Sequence, residues 1–411
     1  MSRVIVIGGG AAGFFGAIAC AQKNPNLEVT VLEAAREPLA KVRISGGGRC
    51  NVTHACFEPA LLIQNYPRGG KALRGAFTRF QPKDTVEWFA HQGVRLKTEA
   101  DGRMFPVTDQ SATIVECLMR AAIQAGVRLW TGVIVKNVTH QNDRFQVELR
   151  SGEQLVADQL LLATGSSPQG HAIARSLGHT IEPPVPSLFT FNIKDPRFDG
   201  LAGVSQPMVK VRLQVGEVQL EQTGAILITH WGVSGPAILK LSAWGARVLH
   251  DHRYQATLQI NWLPTLNPET LRQQLLAVKS EFPRRTIATN CPISLPRRLW
   301  ERLTASADIG AEQRWAEVSN KSLNQLIQEL TQGRYQVSGK GAFKEEFVTC
   351  GGVSLKQVDF KTMGSRCCPG LYLAGELLDI DGVTGGFNFQ SAWTTGYLAG
   401  QAISQLVPLE V

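Results

Sequence analysis

None of the eight cysteines, at positions 20, 50, 56, 117, 291, 350, 367 and 368, forms a CxxC pair. Paired metal-ligand spacing and a small-domain disulfide framework are thereby excluded, and no metal site is expected. Cys367 and Cys368 are adjacent, a poor geometry for a mutual disulfide. Free thiols in a reducing compartment fit best. Long apolar runs are missing too: Val4 to Ile7 and Leu160 to Ala163 are strand-length, far short of the roughly 20 residues that a membrane-spanning helix needs. No basic, apolar and small-residue leader precedes the first strand, which starts at Arg3, so a soluble, cytoplasmic protein is expected. No tandem repeat or low-complexity tract interrupts the 411 residues, a length that suits two or three ordinary domains.

What is present in excess is positive charge. The net charge is +8, and it is unevenly placed. From Arg36 to Arg79 there are eight basic residues (Arg36, Lys41, Arg43, Arg49, Arg68, Lys71, Arg74, Arg79) against Glu37 and Glu58. The pairs Arg284-Arg285 and Arg297-Arg298 follow later. Such clusters suit an anionic partner, although two or three of these cations are accounted for if they hold phosphates of a bound cofactor.

The chain opens on a βαβ unit: a β-branched strand from Arg3 to Ile7, a glycine-rich turn, helical spacing through Gln22, and a second strand ending at Leu32. Helices over 84–92 and 111–125 and strands over 127–138, 144–149 and 159–163 continue one α/β layer system. At Pro183, Pro184 and Pro186 the texture changes to strand-like alternation, and a boundary is expected near Ser187. Amphipathic helices return over 269–282, 299–305 and 321–331, separated by Pro and Gly breakers. After Gly339 a glycine-rich strand-and-turn pattern ends on a helix over 390–405. The expected domains are 1–186, 187–264 (β-rich, substrate-facing), 265–338 (helical) and 339–411, with the last completing the first.

The turn Gly8-Gly9-Gly10-Ala11-Ala12-Gly13 is a GxGxxG. In it the first glycine permits the strand-to-helix turn, the second admits a pyrophosphate, and the third lets the helix pack closely. A strand precedes it, a helix follows, and Glu33 ends the next strand, where a carboxylate binds ribose hydroxyls. Two more segments, Leu162-Ala163-Thr164-Gly165 and Leu371-Tyr372-Leu373-Ala374-Gly375-Glu376, resemble the strand-end motifs of two-segment FAD folds, with Glu376 placed for a ribityl or ribose hydroxyl. A second GxGxxG for a nicotinamide domain is missing, since Gly165 to Gly170 has the wrong spacing. NADPH or NADH is therefore expected only as a transient reductant.

Three blocks are more specific: Ile44-Ser45-Gly46-Gly47-Gly48-Arg49-Cys50-Asn51-Val52-Thr53, Thr229-His230-Trp231-Gly232-Val233-Ser234-Gly235-Pro236-Ala237, and the stretch Leu378-Asp379-Ile380-Asp381-Gly382-Val383-Thr384-Gly385-Gly386-Phe387-Asn388-Phe389-Gln390. With them, nearly the whole chain resembles the FAD-binding family of aminoacetone oxidase, BaiN-like flavin reductases and an rRNA dihydrouridine synthase. The resemblance implies an α/β fold: a Rossmann-like two-segment FAD domain with an inserted β-barrel-like domain and a small helical subdomain. It places Ser45, Gly46, Arg49, Cys50 and Asn51 near the flavin, and gives Gly385, Gly386, Phe387 and Asn388 a backbone face toward its ring. Ala34, Lys41, Val133 and Asp381 join these as candidate cofactor contacts. Ser166-Ser167-Pro168 after Gly165 and Cys350 before Gly351-Gly352 depart from the family's usual form, which weakens any transfer of substrate specificity.

Cys50 and His230 are the candidate acid-base groups, because a thiol could protonate a carbon after hydride transfer and a near-neutral imidazole could deprotonate or orient a substrate. Three functions stay open. The first is a flavin reductase acting on a carbon-carbon double bond of a uridine base in ribosomal RNA, which the basic excess favours. The second is a flavin oxidase of a small amine such as aminoacetone. The third is a non-catalytic FAD-bearing protein, disfavoured by the elaborate blocks assigned to the ring.

Overall fold

The computed structural model describes residues 2–341 and 348–405. Residues 342–347 and 406–411, which belong to the expected return segment, lie outside the described residues. The chain forms two compact units, one of residues 2–185 with 348–405 and one of residues 186–341.

The first unit is built on strands β1 (Arg3–Ile7), β2 (Glu28–Glu33), β3 (Arg128–Thr131), β4 (Gln159–Leu162), β5 (Val358–Asp359), β6 (Gly364–Ser365) and β7 (Leu371–Leu373), in sheet order β5-β6-β7-β4-β1-β2-β3. β1 runs parallel to β2 and β4, and β4 runs parallel to β7. Both faces of such a sheet are covered, so Val4, Val6, Leu160, Leu161 and Leu373 are fully buried apolar residues in near-continuous runs. The register ends the central strands level: Ile7 sits opposite both Leu32 and Leu162, and Leu162 opposite Leu373. Three backbone bonds continue that level edge past the strands, from Gly8 N to Leu32 O (2.8 Å), Ala163 N to Ile7 O (2.9 Å) and Ala374 N to Leu162 O (3.1 Å).

Helix α1 (Ala11–Lys23) leaves this edge from the glycine turn, and the last helix of the chain, here α3 (Phe387–Ser404), packs against it. Between them in sequence lies α2 (Ala40–Gly48). The α1–α3 contact is made of backbone. A Cβ on Gly396 would lie 2.4 Å from Ala12 O, one on Gly400 would lie 2.2 Å from Gly16 O, and one on Gly16 would lie 3.0 Å from Gly396 O. Only glycine at these positions permits that approach.

The second unit is a seven-stranded antiparallel sheet in the order 333–337, 256–261, 205–215, 218–228, 232–234, 191–192, 339–340. Its two edge strands are consecutive in the chain and separated only by Ser338, whose N–H donates to Asn192 O (2.9 Å) at one edge while its carbonyl accepts from Gln255 Nε2 (3.0 Å) at the other. The sheet thus closes on itself as a barrel-like wall. Two sequence expectations shift here. The helices Pro268–Glu281, Arg297–Ser306 and Asn320–Gln332 do not keep a core of their own: Leu271, Leu275, Trp300, Leu303, Leu326 and Leu330 are buried in one cluster with Val211, Leu213, Leu258 and Ile260 of the strands. Gly339–Lys340 pairs with Phe191–Asn192, so the return expected at 339 comes after this strand.

Gly400→Val is expected to lower the stability of the whole chain by at least about 1–3 kcal/mol, the usual cost of overpacking, and to reduce flavin content with it. Thermal melts and absorbance of the purified variant check this; an unchanged melt would contradict the contact.

Candidate functional site

The turn at the end of β1 is shaped by exclusion. A Cβ on Gly8 (φ 109°) would lie 2.4 Å from Ala163 O, and one on Gly13 would lie 1.9 Å from Gly8 O. Gly10 is different, because its Cβ position meets nothing within 4 Å. The N-terminal turn of α1, with Ala11 and Ala12, therefore opens toward free space and carries no acidic residue. Unpaired N–H groups and the positive end of the helix dipole make such a place suited to phosphate.

Glu33 stands beside it. Its carboxylate accepts from Gly9 N (2.6 Å) and Ala35 N (2.7 Å), and its backbone carbonyl accepts from Val133 N (2.9 Å). Ala34 lies exposed next to this carboxylate, and Val133 is half-buried. Two backbone donors orient Glu33 without using all four of its acceptor sites. The neighbouring strand ends add Thr164, Gly165 and Gly375. The Thr164 hydroxyl is buried with no hydrogen bond among the described residues, and a Cβ on Gly165 would come within 3.7 Å of Glu376 Oε2. Glu376 accepts from Lys41 Nζ (2.7 Å) and Thr349 N (3.0 Å). Sequence positions 8–13, 33–41, 133, 164–165 and 375–376 are thus gathered at one end of the sheet.

A second patch forms where α2 breaks. Ser45 leaves helical geometry (ψ 154°) and Gly46, Gly47 and Gly48 follow with φ of 58°, 68° and 83°, a left-handed run that only glycine adopts without strain. With the Asn51 amide oriented to satisfy both neighbours, it donates to Thr53 O (3.1 Å) and accepts from Gly386 N (2.9 Å). Gly386 (φ 91°) is the N-cap of α3, so Phe387 and Asn388 form a first helical turn where sequence pattern starts the helix at 390. The backbone N–H groups of that turn lack intrahelical partners. Asn388 grips Gly382 through both backbone atoms, at 2.8 and 2.9 Å. Phe387 stacks on His54 at 4.7 Å, and Tyr66 Oη donates to Phe387 O (2.7 Å).

Behind this patch lies a buried polar network. Gln390 Oε1 accepts from Thr53 Oγ1 (2.6 Å) and Thr85 Oγ1 (2.9 Å), while its amide donates to Thr394 Oγ1 (3.0 Å). Thr395 Oγ1 accepts from Gly375 N (2.9 Å), which pins the second strand-end turn to α3. Thr85, Thr349, Thr394 and Thr395 were not foreseen from sequence; Thr53 and Gln390, each at the end of a quoted block, carried the signal.

The structure gives several of the expected residues surroundings that the sequence did not show. Asp381 is fully buried and holds Arg68 through a two-point ion pair, so its carboxylate is committed to the protein and Arg68 is no surface cation. Arg49 pairs with Glu99 (2.6 Å) and lies over Phe105 at 4.0 Å. Cys50 has no exposed surface, adopts φ 59°, and burial pushes its thiol up to about 12; it keeps its proton at neutral pH and packs. His230 is in the second unit, exposed beside Trp231. Arg297 pairs with Glu301 (2.8 Å), Arg298 bonds Gly200 O, and Arg285 lies over Phe282, whereas Lys71, Arg74 and Arg284 are exposed.

The model for the HI0933-like protein Rossmann domain matches residues 2–402. The chain belongs to this HI0933-like family. Its FAD-binding flavoprotein character and its standing as an oxidoreductase go with that membership. Among HI0933-like relatives, the chain is 31% identical to a 3-dehydro-bile acid delta(4,6)-reductase of Clostridium scindens, covering 98% of this chain and 100% of that one. It is 30% identical to the ribosomal RNA dihydrouridine synthase of Escherichia coli, covering 97% and 96%, and 31% identical to that of Haemophilus influenzae, covering 98% and 99%. Two solved structures share the fold at 14% identity. One is a 3-ketosteroid-delta4-(5alpha)-dehydrogenase from Rhodococcus jostii RHA1 (TM-score 0.52, 98% of this chain and 97% of that chain). The other is an open flavocytochrome c3 fumarate reductase (TM-score 0.51, 98% and 78%).

The two glycines of the turn separate binding from folding. Compared as apoproteins, Gly10→Val is expected to melt like the parent while taking up no FAD, and Gly13→Val to lose both; FAD bound stoichiometrically by Gly10→Val would contradict the open position. Arg68→Met leaves a buried carboxylate without its cation, at a cost on the order of 3–5 kcal/mol, and its melting temperature should fall accordingly.

Proposed function

We propose that the chain is an FAD-dependent reductase of a carbon-carbon double bond conjugated to a carbonyl, with the uracil of a uridine in ribosomal RNA as its substrate. Support comes from the relatives' chemistry taken together. A steroid-like enone and a uracil ring are unlike in shape, yet each offers a double bond polarised by a carbonyl, and relatives named for both are about equally similar to this chain. The observation that favours RNA over a bile acid is the basic surface: net charge +8, with Lys71, Arg74 and Arg284 exposed. Phosphate neutralisation supplies most nonspecific affinity for nucleic acid.

The residues fit the cofactor. The open N-terminal turn of α1 accepts the pyrophosphate, pre-oriented Glu33 takes ribose hydroxyls with Ala34 and Val133 beside it, and Glu376 with Lys41 serves the ribityl side. Ser45–Asn51 and the first turn of α3 offer backbone N–H groups to the ring, where fixed dipoles stabilise developing negative charge. FAD, when bound, supplies two-electron redox chemistry. Cys50, buried and protonated, holds the turn next to Asn51. His230 remains the candidate for orienting or protonating substrate. No second GxGxxG follows the first, so a nicotinamide nucleotide that reduces the flavin binds transiently and leaves.

The test is anaerobic reduction of the holoprotein with NADPH or NADH, followed by reoxidation with air or with unmodified ribosomal RNA. Expected is faster reoxidation by RNA, with nucleoside digests showing uridines that have gained two hydrogens. Rapid air reoxidation with peroxide release and turnover of aminoacetone would replace this reading by the amine oxidase.

A further inference from the structure

A groove of about 680 Å³ opens on the first unit between the helix Gly70–Phe77 and the sheet-edge segment 355–366. Its lining includes Arg79, Lys356, Lys361 and Arg366 against one carboxylate, Asp359, a local balance of four minus one, or +3. Asp359 is occupied by its own turn: it accepts from Lys361 N (3.1 Å) and Thr362 Oγ1 (3.4 Å), and Arg366 reaches it only at 4.0 Å. Lys71 and Arg74 stand exposed on the same helix as the lining residues Ala72 and Gly75. Among the described residues no ion pair or hydrogen bond engages the side chains of Lys71, Arg74, Lys356 or Lys361. Cations kept close together without partners repel one another, and a protein that maintains them offers them to an anion.

The lining is not only charged. Phe360 lies half-buried among these cations, with Leu355 and Val358 beside it. An aromatic face set within a row of cations suits a strand of nucleic acid, in which phosphates alternate with flat bases that stack. A free phosphate has no use for the ring. None of these residues belongs to the cofactor cradle described above.

We infer that this groove is a docking track for the single-stranded phosphate backbone of the RNA substrate, separate from the flavin cradle, which sets RNA affinity without taking part in the chemistry. The inference rests on the RNA reading of the substrate. Small side chains at Ala72 and Gly75 let the backbone approach the helix, Lys356, Lys361, Arg366, Lys71 and Arg74 neutralise phosphates, and Phe360 stacks an unpaired base.

The holoprotein is tested with a fluorescent single-stranded fragment of unmodified ribosomal RNA, by anisotropy across a salt series. The variant Lys71→Gln/Lys356→Gln/Lys361→Gln removes three side chains without partners, so it should fold and carry flavin as the parent does. Its affinity should fall on the order of tenfold or more, and the slope of log K against log salt should flatten by about two, the value for three phosphates on a single strand. Reduction of saturating RNA should keep its kcat while KM rises. Phe360→Leu should weaken binding about fivefold or more, as loss of one stacked base requires, with the salt slope unchanged. If the parent binds and reduces RNA and the triple variant does so equally well, the groove is overturned and the RNA reading stands. If the parent binds no RNA, or binds anionic phospholipid vesicles or an acidic peptide in its place, both are overturned.

Discussion

Two helices from opposite ends of the chain touch backbone to backbone at Gly16, Gly396 and Gly400, and the cofactor end of the first unit depends on that contact. A single added methyl would sit 2.2–3.0 Å from a carbonyl oxygen of the partner helix, so separation of the helices is set by glycine alone. From this contact the rest follows in order. α3 lies along α1, which brings its capped N-terminus next to the break in α2, and Thr395 then holds Gly375 at the end of β7. The strand ends bearing Gly8, Thr164 and Gly375 become one edge only because the C-terminal strand is delivered there.

What was legible in the sequence was local. A strand, a glycine turn, a helix and a carboxylate at the next strand end are governed by neighbours, and Glu33 lies where that logic puts it. What was not legible was distant. Gly16, Gly396 and Gly400 are single glycines within helical spacing, and nothing nearby marks them as a contact across some 380 residues. Arg68 counted as one more cation in a basic run because its partner, Asp381, is 313 residues away. The family resemblance implied the barrel-like insertion, but its closure at Ser338 was hidden, because 333–338 counted as the end of a helical stretch and 339 as the start of the return. Helix α3 begins early because Gly386, read as loop, is a cap.

Charge is divided by burial. Cations facing the interior are matched: Arg68 with Asp381, and Arg197 with Asp195 and Glu329. Those ion pairs fix loops and add nothing to attraction at a distance. The cations left to solvent along the helix Gly70–Phe77 and the edge segment 355–366 keep their field. Sequence counts merge the two classes, and only the fold distinguishes them.

The central claim is that both ends of the chain make one cofactor cradle. Hydrogen exchange of the apoprotein during titration with FAD tests it most directly. The account predicts that peptides covering Gly8–Phe14, Gly375–Glu376 and Gly385–Phe389 become protected together, with one dependence on FAD concentration. Protection confined to the N-terminal turn, with the C-terminal peptides exchanging as before, would contradict it.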